Sequence, residues 1–98
     1  MEIVKKVEGS KVTLSINGRL DTTTAPELDK ELESLAGSVK DLVFDLEKTQ
    51  YISSAGLRVI LSTQKAMSKV GSLTLINVSG DIKELFDMTG FSTFLNIK

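Results

Sequence analysis

Ser53 and Ser54 are the residues of this chain best placed to take part in chemistry. They stand where Ala55-Gly56-Leu57-Arg58-Val59-Ile60-Leu61 begins a long apolar-periodic segment. Hydroxyls at such a junction cap helices, because their oxygens accept bonds from the unpaired N–H groups of the first turn. One serine suffices for that, and the residue types alone do not say which. A phosphate-binding loop would need a glycine-rich cradle and a lysine that reaches the phosphates. Ser53–Arg58 has one glycine and no lysine. A nucleophilic serine would need a base within hydrogen-bond reach. The chain has no histidine, and nothing in the sequence places a lysine or carboxylate beside Ser54. Cysteine is absent too, so thiolate chemistry and disulfides are excluded. Asp45 ends an apolar run where a phospho-acceptor aspartate could sit. However, the first strand does not end in the acidic pair such a site needs to hold a metal. Asp45 is therefore expected to be a structural carboxylate that accepts bonds from nearby backbone N–H groups. What remains is a serine that is itself a substrate, with base and ATP supplied by another protein. Its phosphate would add about −1.5 to −2 charges.

The elements that must position this serine follow from period and punctuation. Residues 2–8 and 11–17 read as two strands joined by a tight hairpin at Gly9-Ser10, since Val12, Leu14 and Ile16 alternate with polar residues. Thr24-Ala25-Pro26-Glu27 has capping-box spacing. A helix is predicted over about 25–36, with a stripe of Ala25, Leu28, Leu32, Leu35 and Ala36, stopped by Gly37. Residues 41–46 are apolar enough for a central strand. The helix that follows a short polar connector is predicted from Ser54 to Val70. Residues 72–78 form the next strand, Ser79 caps a third helix ending at Gly90, and 93–97 add a last short strand. The order is β-β-α-β-α-β-α-(β), which implies right-handed parallel crossovers beside an antiparallel edge.

On the central helix, Ala55, Val59, Ala66 and Val70, flanked by Ile60 and Met67, are expected to face the core. Gly56 falls within that stripe, where it would let helix and sheet approach closely. Leu57 and Leu61 fall on a second stripe with Ser54, Gln64 and Ser68, flanked by Arg58, Lys65 and Lys69. Two readings stand open. Leu57 and Leu61 pack under a neighbouring helix, or they form an exposed apolar docking pair beside Ser54.

The 98 residues suit one domain, 1–98, of ordinary soluble composition, 41% hydrophobic and 26% charged. A net charge of −1 without a basic cluster leaves no electrostatic footprint for nucleic acid. No signal segment or transmembrane-length apolar run is present, so a cytoplasmic protein is expected. No metal or cofactor is expected.

Four stretches together carry a family resemblance over essentially the whole chain. They are Gly18-Arg19-Leu20-Asp21, Leu42-Val43-Phe44-Asp45-Leu46, Ile52-Ser53-Ser54-Ala55-Gly56-Leu57 and Leu85-Phe86-Asp87-Met88-Thr89-Gly90. In this order and at this length, the chain resembles the bacterial anti-sigma factor antagonists, proteins of the STAS fold. The resemblance implies an α/β STAS fold. It would have a mixed four- to five-stranded sheet, an antiparallel N-terminal hairpin, a parallel remainder and three to four helices. It implies partner switching in transcription regulation. The unphosphorylated antagonist binds an anti-sigma factor that is also a serine kinase, and a sigma factor is released. The kinase then phosphorylates the antagonist, and a PP2C-type phosphatase restores it. No nucleic acid or membrane takes part, the antagonist is not an enzyme, and it is expected to act as a monomer.

In the family motif Asp-Ser-(Ser/Thr)-Gly-Leu, the acceptor is the serine directly after the aspartate. Register against Gly56-Leu57 makes Ser54 the implied acceptor, with Ser53 the lesser candidate. Ser53 takes the place of the family's aspartate, and Ala55 that of the second hydroxyl. Asp21 matches the last residue of the family's Gly-Glu-Leu-Asp motif. Asp21, Ser53, Ser54, Leu57, Arg58 and Leu61 are the expected docking residues. The alternative is a STAS scaffold or ligand-sensing module that is never phosphorylated. A small enzyme using Ser54 as nucleophile is the remaining reading. A phosphate at a helix N-terminus is favoured by roughly 0.3–1 kcal/mol. Modification should therefore leave the fold intact and act on docking, where a dianion resists desolvation.

Overall fold

A computed structural model describes residues 1–35 and 37–98. The hairpin forms as expected, with β1 (Glu2–Glu8) antiparallel to β2 (Lys11–Leu20) and Val7 opposite Val12 across the turn. β3 (Asp41–Asp45) lies parallel to β2 and is central. β5 (Ser72–Ile76) lies parallel to β3, and β6 (Asn96–Ile97) parallel to β5. The main path is β1-β2-β3-β5-β6. Register aligns Val12, Leu42 and Leu73 in one row and Leu14, Phe44 and Leu75 in the next. All six are buried, whereas the alternate residues Thr13, Val43 and Thr74 are half-buried. One face of the sheet thus carries the core, and the helices α1 (Ala25–Leu35), α2 (Ser54–Met67) and α3 (Gly80–Thr89) cover it.

The connector before α2 is not a loop. It holds a sixth strand, β4 (Thr49–Ile52), parallel to the far end of β2. Period two does not reveal it, because its four residues bury only the first and last, Thr49 and Ile52. β2 runs three residues past its predicted end to reach it. An irregularity between Gly18 and Arg19 shifts the register, with Gly18 at φ 105, a conformation that glycine adopts freely. The Gly18 amide donates to Lys48 O at 2.9 Å, and the Thr49 hydroxyl donates to the Ile16 carbonyl.

Other boundaries move by a few residues. α2 stops at Met67, and Ser68–Val70 tighten into a turn in which the Gly71 amide donates to Met67 O at 2.7 Å. β5 ends before Asn77, which sits at φ 55, a region open to asparagine. A 3-10 turn, η1 (Phe91–Thr93), takes the place of the start of the last strand. Ser79 caps α3 by accepting from the Ile82 amide, and Gly90 closes it at φ 79. The capping box at Thr24 does not form. Its hydroxyl turns back to donate to Arg19 O at 2.7 Å and accept from the Asp21 amide at 2.9 Å. Ala36 lies outside the described residues.

The buried face of α2 is Gly56, Leu57, Val59, Ile60, Thr63 and Met67. Ala55 is half-buried and packs against the core cluster, as expected, whereas Ala66 is exposed and Val70 is 51% exposed, so these two do not face the core. Val70 lies beyond the helix end. Ala66 and Val70 border an open cleft of about 370 Å³ against α1, with Leu32 and Val39.

Candidate functional site

The site is built where two strand ends meet one helix start. Leu20 pairs with Ile52 in the β2–β4 register, and the Ser53 amide donates to Leu20 O at 2.9 Å. That contact brings Asp21 alongside Ser53-Ser54. Ser53 is the N-cap, extended at φ −86 and ψ 176, and its hydroxyl accepts from the Gly56 amide at 3.4 Å. Its carbonyl takes the Leu57 amide at 2.9 Å. Ser54 is the first helical residue, and it is exposed. Among the described residues, no side chain hydrogen-bonds its hydroxyl.

Gly56 explains how the helix start seats so low. A Cβ there would lie 2.8 Å from both Leu20 Cγ and Leu20 O, and 3.0 Å from Ile52 Cγ2. Helix and strand ends are therefore in backbone contact, as the glycine predicts.

Asp21 is held firmly. Its Oδ1 accepts from the amides of Thr23 at 3.0 Å and Thr24 at 3.1 Å. The Thr24 amide bond, helped by Thr23, the Thr24 hydroxyl and the Arg19 charge, holds its carboxyl below the usual carboxylate range. Arg19 Nε stands 3.7 Å from Asp21 Oδ2, with the guanidinium carbon 4.6 Å from the centre of the Tyr51 ring. Asp45 behaves as a structural carboxylate. Its Oδ1 accepts from the Glu47 amide at 3.1 Å and from Asn77 Nδ2 at 3.0 Å. Among the described residues no cluster of three metal-ligating side chains occurs, and no helix is long and apolar enough to cross a membrane.

Residues 2–98 match the family model for the STAS domain. The chain is 36% identical over 93 residues to the anti-sigma-B factor antagonist of Bacillus subtilis (strain 168), covering 94% of this chain and 85% of the relative. It belongs to the anti-sigma factor antagonists of the STAS family. A crystal structure of an anti-sigma factor antagonist from Mycobacterium paratuberculosis shares the fold, with a TM-score of 0.88 at 21% identity, over 98% of this chain and 83% of that one. The Bacillus cell fate determinant SpoIIAA in its phosphorylated form shares it as well, with a TM-score of 0.78 at 18% identity, over 99% and 91%.

On this STAS fold, the bond from the Ser53 amide to Leu20 O sets Asp21, the residue after the end of β2, beside the N-cap, with Ser54 following Ser53 in the chain. Arg58 and Leu61 continue the Ser54 face of α2, with Arg58 exposed and Leu61 half-buried. Leu57 does not join them. It is 6% exposed and belongs to the core cluster, which corrects the exposed-pair reading. The physical reason is the seating at Gly56: once that backbone touches Leu20 and Ile52, the next side chain is drawn under the helix. The outer stripe is therefore Ser54, Arg58, Leu61 and Lys65, spaced i, i+4, i+7 and i+11. Arg19 and Tyr51 were not singled out from the sequence. Tyr51 is 44% exposed, and an exposed aromatic under a guanidinium beside Asp21 extends the same surface. Only the β2–β4 pairing, which periodicity hides, reveals it.

Proposed function

We propose that this chain works by partner switching, with Ser54 as the phosphorylated residue. In its unphosphorylated state it binds an anti-sigma factor that is also a serine kinase, and a sigma factor is freed. The kinase transfers the γ-phosphoryl group of ATP to Ser54 Oγ, ADP leaves, and a kinase base takes the hydroxyl proton. The complex then dissociates, and a PP2C-type phosphatase hydrolyses the ester. The chain supplies the substrate hydroxyl and the docking surface, and no catalytic group, in the cytoplasm.

The observation that carries this reading is the division of labour between the two serines. Ser53 holds the cap, so Ser54 is exposed and uncommitted at the first helical position. A phosphate there leaves the cap in place and gains from the helix dipole, so the fold survives. The cost falls on docking, since a dianion in the middle of an interface must be desolvated. Asp21, Ser53, Arg58 and Leu61 surround it as docking residues, and Leu57 supports them from beneath.

The test is incubation with the cognate kinase and ATP, followed by peptide mapping by mass spectrometry. Phosphate on Ser54, absent in Ser54→Ala, supports the reading. Phosphate on Ser53 alone, or none, overturns it, as does undiminished partner binding by Ser54→Asp.

A further inference from the structure

We propose that Arg58 receives the phosphate: once Ser54 is phosphorylated, the Arg58 guanidinium pairs with it within the same helix. This rests on the modification of Ser54 proposed above.

Ser54 and Arg58 both lie in α2, four residues apart, and both are exposed. At that spacing, β-carbons stand about 5–6 Å apart on one face. Long helical side chains lean toward the N-terminus, so Arg58 covers the turn that Ser54 starts. The arginine is also uncommitted. Among the described residues it makes no ion pair, and the first turn of α2 carries no carboxylate to compete. A planar guanidinium fork fits two phosphate oxygens at once.

Three other charged groups, Arg19, Asp21 and Lys65, are engaged or distant. Arg19 is held between Asp21 and the Tyr51 ring. Asp21 is negative and would repel a dianion, but its Oδ1 already takes two amides and Arg19 faces its Oδ2. Lys65, seven residues beyond Arg58, lies about 16 Å along the axis from Ser54, past the screening length of roughly 8 Å. Among the described residues of α2, Arg58 is thus the uncommitted cation one turn from Ser54. The pairing fixes the phosphate in one geometry and takes the arginine off the outer stripe that would meet a partner.

An opposite charge favours the dianion, so the second ionisation of the phosphate, ordinarily near pH 6, should move down. For an exposed pair one turn apart the shift is a few tenths of a pH unit. The experiment installs phosphoserine at position 54 during translation, which bypasses the kinase, and titrates it by phosphorus-31 NMR. Arg58→Ala should raise the phosphate's pKa by a few tenths of a unit, and Arg58→Lys by less. Lys65→Ala should leave it unchanged. The Arg58 Nε–Hε resonance should shift and exchange more slowly in the phosphoprotein. An unchanged titration in Arg58→Ala, or an equal shift in Lys65→Ala, overturns the proposal. The urea midpoint of each variant confirms that the fold is retained. Failure of the kinase to modify Ser54 would instead overturn the proposed switching and leave this measurement standing on its own.

Discussion

The Ser53 amide donates to the carbonyl of Leu20 at 2.9 Å, and this bond ties the end of β2 to the start of α2. Everything at the candidate site is positioned from it. Asp21 follows Leu20, Ser54 follows Ser53, and Gly56 rests its backbone on the same leucine.

Gly56→Ala should therefore destabilise the fold, although alanine is the better helix former by about 1 kcal/mol. The new methyl meets Leu20 O at 2.8 Å, a backbone atom that cannot rotate away. α2 must lift and the Leu20–Ser53 bond must stretch. A net loss of about 1–3 kcal/mol is expected, read as a lower urea midpoint at unchanged slope. A midpoint equal to wild type would show that the helix start can shift away from Leu20 at no cost.

The two serines should separate cleanly by substitution. Ser53→Ala removes the oxygen that accepts from the Gly56 amide, and should cost about 1 kcal/mol. Ser54→Ala removes an exposed hydroxyl with no partner among the described residues, and should stay within about 0.5 kcal/mol of wild type. Thermal unfolding of the two variants side by side checks this. The reverse ranking would exchange their roles.

How much of this was legible in the sequence depended on the kind of signal. Val12, Leu14 and Ile16 announced β2 through period two, and Ser79 and Gly90 marked both ends of α3. The hidden part was β4. Thr49-Gln-Tyr-Ile buries its first and last residues only, so no alternation exists to be read. With β4 unseen, the proximity of Arg19 and Tyr51 was unseen as well. Leu57 was misplaced for a different reason. An ideal wheel treats the whole helix as equally distant from the sheet. The contact of Gly56 with Leu20 lowers the first turn and widens the buried face there.

Asp21 makes stability depend on pH in a defined direction. The Thr24 amide bond, together with Thr23 and Arg19, lowers its pKa in the folded state. The unfolded chain then binds the proton more readily, so this stabilisation is full above the unfolded value of about 3.9 and is lost as pH falls through the folded one. Asp87, lowered by its bond to the Ser92 hydroxyl and by Lys83, adds a second contribution of the same sign. Urea midpoints followed downward from pH 7 should fall less steeply in Asp21→Asn than in wild type, and least steeply when Asp87→Asn is added. Parallel curves would mean that the Asp21 network carries no net proton linkage.

Stability and docking should part company between Leu57 and Leu61. Leu57 is in the core cluster, so Leu57→Ala should cost about 2–5 kcal/mol, the transfer of its methyl groups plus the cavity left behind. Molecules that remain folded should still present Ser54, Arg58 and Leu61 on the outer stripe and dock with unchanged affinity. Leu61 is half-buried on that stripe, so Leu61→Ala should cost about 1 kcal/mol or less in stability. It should nonetheless weaken binding to the anti-sigma factor several-fold, because an apolar group flanked by Arg58 and Lys65 has the character of an interface anchor. Calorimetric titration with both variants held well below their unfolding transitions separates the two effects. If Leu57→Ala lost affinity while its urea midpoint held, the first turn of α2 would have to open on docking, and the buried leucine would be part of the interface after all.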